Sequence, residues 1–115
     1  GRADNIINSG GIKISPEPIE RQLSAILAIP LAISWIADAA LGQKLVLVLE
    51  GDSLSEGLAK SLDKTCKQLL PPYHRPKEIR CVAQLPHNDN GKLDRRALQQ
   101  LLGATSAQHS HSQEL

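Results

Sequence analysis

The chain has 115 residues, a formal net charge of +1 and 41% hydrophobic residues, which is enough for one small domain. The near-neutral charge excludes the strong basic footprint of a general nucleic-acid-binding protein, so no nucleic-acid partner is expected. No apolar run approaches the roughly 20 residues that cross a bilayer, and the first residues lack a signal-peptide pattern. We therefore expect a cytoplasmic protein with no membrane partner.

The composition also limits the core and the possible metal sites. Phe and Met are absent and the only aromatic residues are Trp35 and Tyr73, so the core must be built from Leu, Ile, Val and Ala. Cys66 and Cys81 fall in different predicted elements and lack metal-ligand spacing, which predicts reduced packing residues. His109 and His111 resemble a weak metal pair, but their polar surroundings favour a solvated tail. No metal site is predicted.

The first half of the chain predicts a hairpin and a helix. Residues 5–14 place two short β-branched runs around Ser9-Gly10-Gly11, a composition typical of a tight turn. Ser15 is positioned to cap a helix with prolines in its first turn. The apolar stripe predicted for this helix consists of Ile19, Leu23, Ile26 and Leu27.

The next elements are two strands, a helix, a third strand and a last helix. Residues 31–37 and 44–50 are apolar runs joined by a short loop, which predicts an antiparallel pair. Ser53 with Glu56 reads as a capping box for a helix that runs to Leu70 and stops at the following prolines. Residues 78–83 predict a third strand. Asp94 is expected to cap a short final helix whose inward residues are Ala97, Leu98, Leu101 and Leu102.

These elements predict a small two-layer α+β domain with a three-stranded antiparallel sheet, an N-terminal hairpin and helices. The ordered domain is expected to cover residues 1–102. Residues 103–115 have no apolar period, which predicts a disordered tail. The opening GRADN has no initiator Met and no element to pack against, so we expect the chain to be part of a longer protein.

Several short motifs have both a structural and a functional interpretation. Gly91-Lys92 is typical of a solvated turn, yet a lysine on a flexible loop can also present a point charge to a phosphate or carboxylate. The Gly10-Gly11 pair suits a turn or the close passage of a narrow ligand. Arg75-Pro76-Lys77 suits a solubilising loop or a polyphosphate site. Asp4, taken alone, is typical of an exposed turn.

In order and spacing these motifs resemble one family. GRADNIINSGGIKISPEPIE resembles the hinge segment GRxDDxIxxxGxxIxPxEIE of the acyl-CoA synthetase, nonribosomal peptide adenylation and luciferase superfamily. Leu41-Gly42-Gln43 resembles its DxxxGQ segment, and LPHNDNGKLDRRAL resembles its LPxxxxGKxxRxxL ending. Three separated motifs in the correct order make the resemblance specific, and it covers residues 1 to 102.

The resemblance implies that the chain is the mobile C-terminal subdomain of an ATP-dependent, AMP-forming carboxylate–CoA ligase and is inactive alone. The segment DNIINSGGIKI is most similar to the corresponding segment of the 2-succinylbenzoate CoA ligases of menaquinone synthesis. The implied partners are the N-terminal domain of the same enzyme, a small carboxylate, ATP and CoA, with Mg in the full-length enzyme and no cofactor bound to this fragment. The family's phosphate loop and acyl pocket lie upstream, so the sequence does not identify the carboxylic acid.

The resemblance also implies residue roles. Lys92 would be the catalytic adenylation lysine, Asp4 the hinge and Arg2 a residue near the nucleotide. The implied CoA-binding residues are Gly10 and Gly11 in the pantetheine tunnel, and Tyr73, Arg75 and Lys77 at the CoA nucleotide. Two positions depart from the pattern: Leu41 stands where some relatives carry a CoA-contacting aromatic residue, and Asn5 replaces the second Asp of the hinge pair.

An interpretation from a different class stays open. A free-standing α+β binding or regulatory module could use the same basic loop to bind an anionic partner. An upstream Ser/Thr/Gly-rich phosphate loop in the complete gene favours the ligase, whereas a start codon just before Gly1 favours the module.

Overall fold

The computed structural model describes residues 5–109. In chain order the elements are β1 (Ile7–Ser9), β2 (Ile12–Ile14), α1 (Pro16–Ser24), β3 (Leu31–Asp38), β4 (Gly42–Glu50), α2 (Glu56–Leu69), a 3-10 turn (Pro72–His74), β5 (Glu78–Val82) and α3 (Arg95–His109).

The sheet is organised around β4. Strand β3 pairs with β4 along its whole length in antiparallel register, from Leu31 opposite Leu49 to Asp38 opposite Gly42. The β1–β2 hairpin joins β4 at a single antiparallel pair, Ser9 opposite Gly42. These features confirm the α+β class, the N-terminal hairpin and the predicted β3–β4 pair.

The direction of the third strand was predicted wrongly. Strand β5 is parallel to β4, with Val46 opposite Glu78 and Glu50 opposite Val82. The reason is α2, which carries the chain from the end of β4 back to the beginning of β5, so that both strands run in the same direction.

Helices cover both faces of the sheet, which gives three layers instead of the predicted two. The side chains of β4 alternate, with Leu45, Leu47 and Leu49 on one face and Val46 and Val48 on the other, and all five are buried. The first face packs against α1 and α2, and the second packs against Leu98 and Leu102 of α3. The continuous apolar run of β4 is the signature of a strand covered on both sides.

The helix boundaries differ in detail from the predictions. Helix α1 ends at Ser24 in a tightened turn, where the Ile26 N–H donates to the Leu23 carbonyl, and Ile26 is 57% exposed instead of lying in the apolar stripe. The N-cap of α2 is Ser55, whose Oγ accepts the Leu58 N–H at 3.1 Å. The predicted capping box at Ser53 is therefore wrong by two positions.

The last helix begins as predicted, because the Asp94 carboxylate accepts the Ala97 N–H at 3.0 Å. It also packs as predicted through Leu98 and Leu102, but Leu101 is exposed. Helix α3 continues past residue 102 to His109, and residues 110–115, including His111, lie outside the described chain. The domain boundary at residue 102 stays a prediction.

Cys66 is buried, Cys81 is half-buried, and both are free, as expected of packing residues. Burial raises the pKa of both thiols, and the nearby Asp63 adds to the effect at Cys66. Across residues 5–109, no helix is long and apolar enough to span a membrane. Within the same residues, no group of three or more His, Cys, Asp or Glu side chains could hold a metal ion.

Candidate functional site

Lys92 lies on a short hairpin-like loop with a fixed backbone. His87 and Leu93 pair across the loop. Within it, Asn88 donates its N–H to the Lys92 carbonyl at 2.8 Å, and its side-chain oxygen accepts the Lys92 N–H at 3.1 Å. Gly91 has φ +81°, a conformation that favours glycine. The loop thus holds the Lys92 backbone in place while the Lys92 side chain remains exposed.

The Lys92 loop borders an open groove of about 610 Å³. Asn5, the residue after the predicted hinge Asp4, lines the same groove, as do Glu17 and Arg95. Asp4 and Arg2 themselves lie outside the described residues, so their predicted roles remain untested. The groove nevertheless places Lys92 beside the segment that leads out of the predicted hinge.

Glu17 connects Asn5 to Arg95. The Asn5 side-chain amide donates to Glu17 Oε2 at 2.8 Å, and Arg95 Nη2 lies 3.8 Å from the same oxygen. Burial tends to raise the pKa of Glu17, but hydrogen bonds from its own backbone and from Asn5, together with the charge of Arg95, outweigh it, and the pKa is lowered. Glu17 is therefore held as a carboxylate beside the Lys92 loop.

Arg95 and Glu20 close the free edge of β3. Arg95 Nη2 lies 2.7 Å from Glu20 Oε1 and Nη1 lies 3.0 Å from Oε2, a bidentate pair. Glu20 Oε2 accepts the Ile33 N–H at 2.8 Å, and Arg95 Nη1 donates to the Ile33 carbonyl at 3.3 Å. The Gln99 amide similarly donates to the Trp35 carbonyl at 2.7 Å. The edge strand is thus covered by side chains from two helices.

The tip of the first hairpin lies against the turn between β3 and β4 through Gly10, whose N–H donates to the Leu41 carbonyl. Gly10 has φ +60° and Gly11 has φ +87°, so the Ser9-Gly10-Gly11 segment is the tight turn that the sequence predicted. The Asp38 carboxylate orders the second turn by accepting the Leu41 N–H at 2.8 Å. The segments resembling the hinge and DxxxGQ motifs are therefore adjacent in space.

The predicted CoA-nucleotide residues lie between α2 and β5. Tyr73 is 52% exposed and stands edge-on to His74, with ring centroids 4.7 Å apart. Arg75 is engaged in the fold: its Nε donates to the Leu70 carbonyl at 2.8 Å and its Nη2 donates to the Lys67 carbonyl at 3.0 Å. Arg75 therefore caps the C-terminus of α2, a role that the sequence did not predict. Lys77 is exposed directly before β5.

The candidate residues form two groups. Gly10 and Gly11 lie near the N-terminal end of β4, and the Lys77 N–H donates to the Leu45 carbonyl of the same strand. None of these residues lines the groove beside Lys92. The predicted CoA-binding residues therefore lie outside the groove that the predicted adenylation lysine borders.

Sequence reasoning gave no role to Glu20 or Arg95. Both nevertheless occupy positions within the quoted motifs, because Glu20 is the final acidic residue of the hinge pattern and Arg95 is the arginine after Gly-Lys. The motif positions were therefore a usable signal, although the spacing alone could not show that the two side chains meet.

Comparison with known proteins identifies the family of this chain. The sequence profile of the AMP-binding enzyme C-terminal domain matches residues 36–92, from β3 to Lys92. The chain is 34% identical over 100 residues to the probable 2-succinylbenzoate–CoA ligase of Mycobacterium tuberculosis, covering 85% of this chain and 26% of that protein. It is 36% identical over 98 residues to the mitochondrial malonate–CoA ligase of Mus musculus, covering 82% of this chain and 16% of that protein.

A solved structure gives the same result. An AMP-forming acyl-CoA synthetase/AMP-acid ligase II-like protein from Dyadobacter fermentans superposes with a TM-score of 0.75 at 36% identity, over 89% of this chain and 30% of that protein. The chain thus spans about a quarter or less of the curated relatives that it matches. Fold, motif order and similarity agree that this chain belongs to the family of AMP-binding enzyme C-terminal domains.

Proposed function

We propose that this chain is the mobile C-terminal subdomain of an ATP-dependent, AMP-forming carboxylate–CoA ligase, with Lys92 as its adenylation lysine. The observation that carries the proposal is the Lys92 loop. Its backbone is fixed by Asn88, and Lys92 lines the same groove as Asn5 at the hinge end of the chain. An ammonium group carried by a fixed backbone next to a hinge can be delivered to an acyl carboxylate and an α-phosphate and then withdrawn.

In this proposal the predicted CoA-binding residues serve thioester formation. Gly10 and Gly11 would line the path of the CoA pantetheine arm, and Tyr73, Arg75 and Lys77 would face the CoA nucleotide. Their separation from the Lys92 groove suits an enzyme that presents different faces of the subdomain in its two half-reactions. Asp4 would be the pivot and Arg2 would lie near the nucleotide. ATP and CoA are substrates, and the full-length enzyme would use Mg.

The proposed carboxylate is 2-succinylbenzoate. The similarity to the probable 2-succinylbenzoate–CoA ligase and the sequence of the hinge segment support it. The match to a malonate–CoA ligase makes malonate the appropriate competitor in a test. The complete ligase should form an adenylate faster from 2-succinylbenzoate than from malonate, and the opposite preference would refute this assignment of substrate.

The test of the subdomain's role is Lys92→Ala in the complete ligase that contains this chain. Loss of the ammonium group should slow adenylation by roughly a hundredfold or more, measured by carboxylate-dependent ATP–pyrophosphate exchange. Thioester formation from supplied acyl-adenylate should be preserved. Lys13→Ala, which removes an exposed lysine from β2, is the matched control and should leave both half-reactions unchanged. If Lys92→Ala slows both half-reactions equally, the proposal that Lys92 serves adenylation alone is refuted.

The isolated 115-residue chain supplies a second test. It should show no ATP–pyrophosphate exchange with either acid, because one lysine cannot replace a nucleotide-binding and acyl-binding pocket. Turnover by this chain alone would contradict the proposal that it is one part of a larger ligase.

A further inference from the structure

Arg95 joins α3, which it begins, to α1 and β3 through one guanidinium group. It forms the bidentate pair with Glu20 of α1, donates to the Ile33 carbonyl of β3, and lies 3.8 Å from Glu17 Oε2. The Arg95 and Glu20 side chains are only 22% and 15% exposed. A planar, multidentate contact of this kind fixes direction as well as distance, which a lysine at the same position could not do.

The Lys92 loop leads directly into Arg95. The loop closes on itself through Asn88, and the Asp94 N–H donates to the Pro86 carbonyl at 2.9 Å where the two arms of the loop meet. Arg95 follows immediately and is the first residue of α3. The loop is therefore closed by its own hydrogen bonds and is joined to the first residue of α3.

The hinge end of the chain reaches the same guanidinium group. The Asn5 side chain is hydrogen-bonded to Glu17, and the Glu17 oxygen that accepts this bond is also the one nearest Arg95. A continuous series of contacts thus runs from the residue after the predicted pivot, through Glu17 and Arg95, to the base of the Lys92 loop.

We infer that Arg95, held by Glu20 and Glu17, is a positioning residue that locks the Lys92 loop to the hinge end of the subdomain. When the subdomain rotates, this contact makes the Lys92 ammonium group arrive at a defined place instead of a range of places. The inference rests on the proposed function of Lys92. Arg95 does not touch the reacting atoms in this scheme and acts only through Lys92.

The first test is a pair of conservative variants in the complete ligase, Arg95→Lys and Arg96→Lys. Arg95→Lys keeps the charge but loses the bidentate geometry, whereas Arg96 is exposed on the next position of α3. A displacement of about 1 Å can cost on the order of a hundredfold in rate, so Arg95→Lys should slow adenylation at least tenfold. It should leave thioester formation from supplied acyl-adenylate within about twofold of wild type, and Arg96→Lys should change neither step.

The second test does not depend on catalysis. Backbone amide order parameters of residues 87–93, measured by NMR on the 115-residue chain, should fall in Arg95→Lys and stay unchanged in Arg96→Lys. Unchanged order parameters in Arg95→Lys would overturn the inference. So would lowered order parameters without selective loss of adenylation, because the contact would then support the fold alone. If Arg95→Lys does not fold, Glu20→Gln removes one charge of the same pair and is judged by the same two outcomes.

The two tests separate this inference from the proposed function. Absence of adenylation in the wild-type ligase refutes the function, and the NMR comparison still decides whether Arg95 orders the loop. If the wild-type ligase adenylates normally but Arg95→Lys slows both half-reactions equally, the proposed function stands and the positioning role of Arg95 is refuted.

Discussion

The backbone N–H of Gly10 donates to the carbonyl of Leu41 at 2.8 Å, so the tip of the first hairpin is fixed against the turn between β3 and β4. A Cβ atom at Gly10 would lie 3.1 Å from Leu41 Cδ2, whereas a Cβ atom at Gly11 would have no neighbour within 4 Å. Gly10 is thus constrained by packing inside the domain. Gly11 faces open space, where a ligand of the complete enzyme could pass.

This difference predicts a selective effect of bulk at Gly11. Because Gly11 has φ +87°, any side chain there adds backbone strain on the order of 1 kcal/mol. Gly11→Ala and Gly11→Leu share that strain and differ in the volume that they add. In the complete ligase, Gly11→Leu should slow thioester formation at least tenfold more than Gly11→Ala if a pantetheine arm passes there, and both should spare adenylation. Equal rates of thioester formation in the two variants would place the CoA path elsewhere.

The sequence predicted those parts of the fold whose signals are local. The Gly-Gly hairpin, the β3–β4 pair and the α3 cap at Asp94 depend on neighbouring residues, and all are confirmed. The direction of β5 was missed because it depends on where α2 delivers the chain, which is a tertiary property. The packing of α3 on the second face was missed likewise, because the only sequence signal for it was the continuous apolar run of β4.

The site residues show the same contrast between local signals, which the sequence reveals, and tertiary contacts, which it does not. Lys92 lies on a loop with its side chain exposed, as the turn residues around it predicted, and its adenylation role stays a proposal. The contact between Glu20 and Arg95 joins residues that are far apart in sequence and lie in different motifs. Arg75 shows the opposite problem, because a basic residue in a loop suggests a ligand site and its contacts with α2 appear only in the folded chain. Long-range pairing of charged side chains cannot be inferred from spacing along one sequence.

Arg75 should therefore affect stability as well as CoA binding. Arg75→Ala removes two hydrogen bonds from the C-terminus of α2 and should lower the free energy of unfolding by about 1–2 kcal/mol, measured by urea denaturation of the 115-residue chain. Lys77→Ala removes a neighbouring exposed charge and should leave stability within about 0.5 kcal/mol. Both variants should raise KM for CoA in the complete ligase. A normal unfolding free energy in Arg75→Ala would contradict the capping role.

The core of the domain makes a further prediction about stability. Leu47 is fully buried at the centre of β4, between α1 and α2 and the rest of the sheet. Leu47→Ala should therefore cost about 2–5 kcal/mol of unfolding free energy, because it removes buried methyl groups and leaves a cavity. Ile26→Ala truncates an aliphatic side chain that is 57% exposed and should cost less than about 1 kcal/mol. Similar midpoints for the two variants in urea would contradict the assigned packing.

Glu17 should make the stability of the chain dependent on pH in the acid range. Its pKa is lowered in the folded protein from the ordinary value of 4.5, because hydrogen bonds from its own backbone and Asn5 and the charge of Arg95 outweigh burial, which acts to raise it. The folded state thus favours the carboxylate, and this stabilisation is complete above pH 4.5 and is lost as the pH falls through the lower, folded-state value. Glu17→Gln cannot ionise, so its deficit in unfolding free energy relative to wild type should be constant near neutral pH and shrink in acid.

The matched control for Glu17 is Glu56→Gln. Glu56 occupies the first turn of α2 as Glu17 does that of α1, but it is exposed. Both carboxylates interact favourably with a helix N-terminus, so the difference between the two variants isolates the contribution of Asn5 and Arg95. Urea denaturation of the 115-residue chain at a series of pH values from neutral to acid measures this difference. A Glu17→Gln deficit that grows as the pH falls, or that follows the Glu56→Gln curve throughout, would show that the contacts with Asn5 and Arg95 do not favour the ionised form of Glu17.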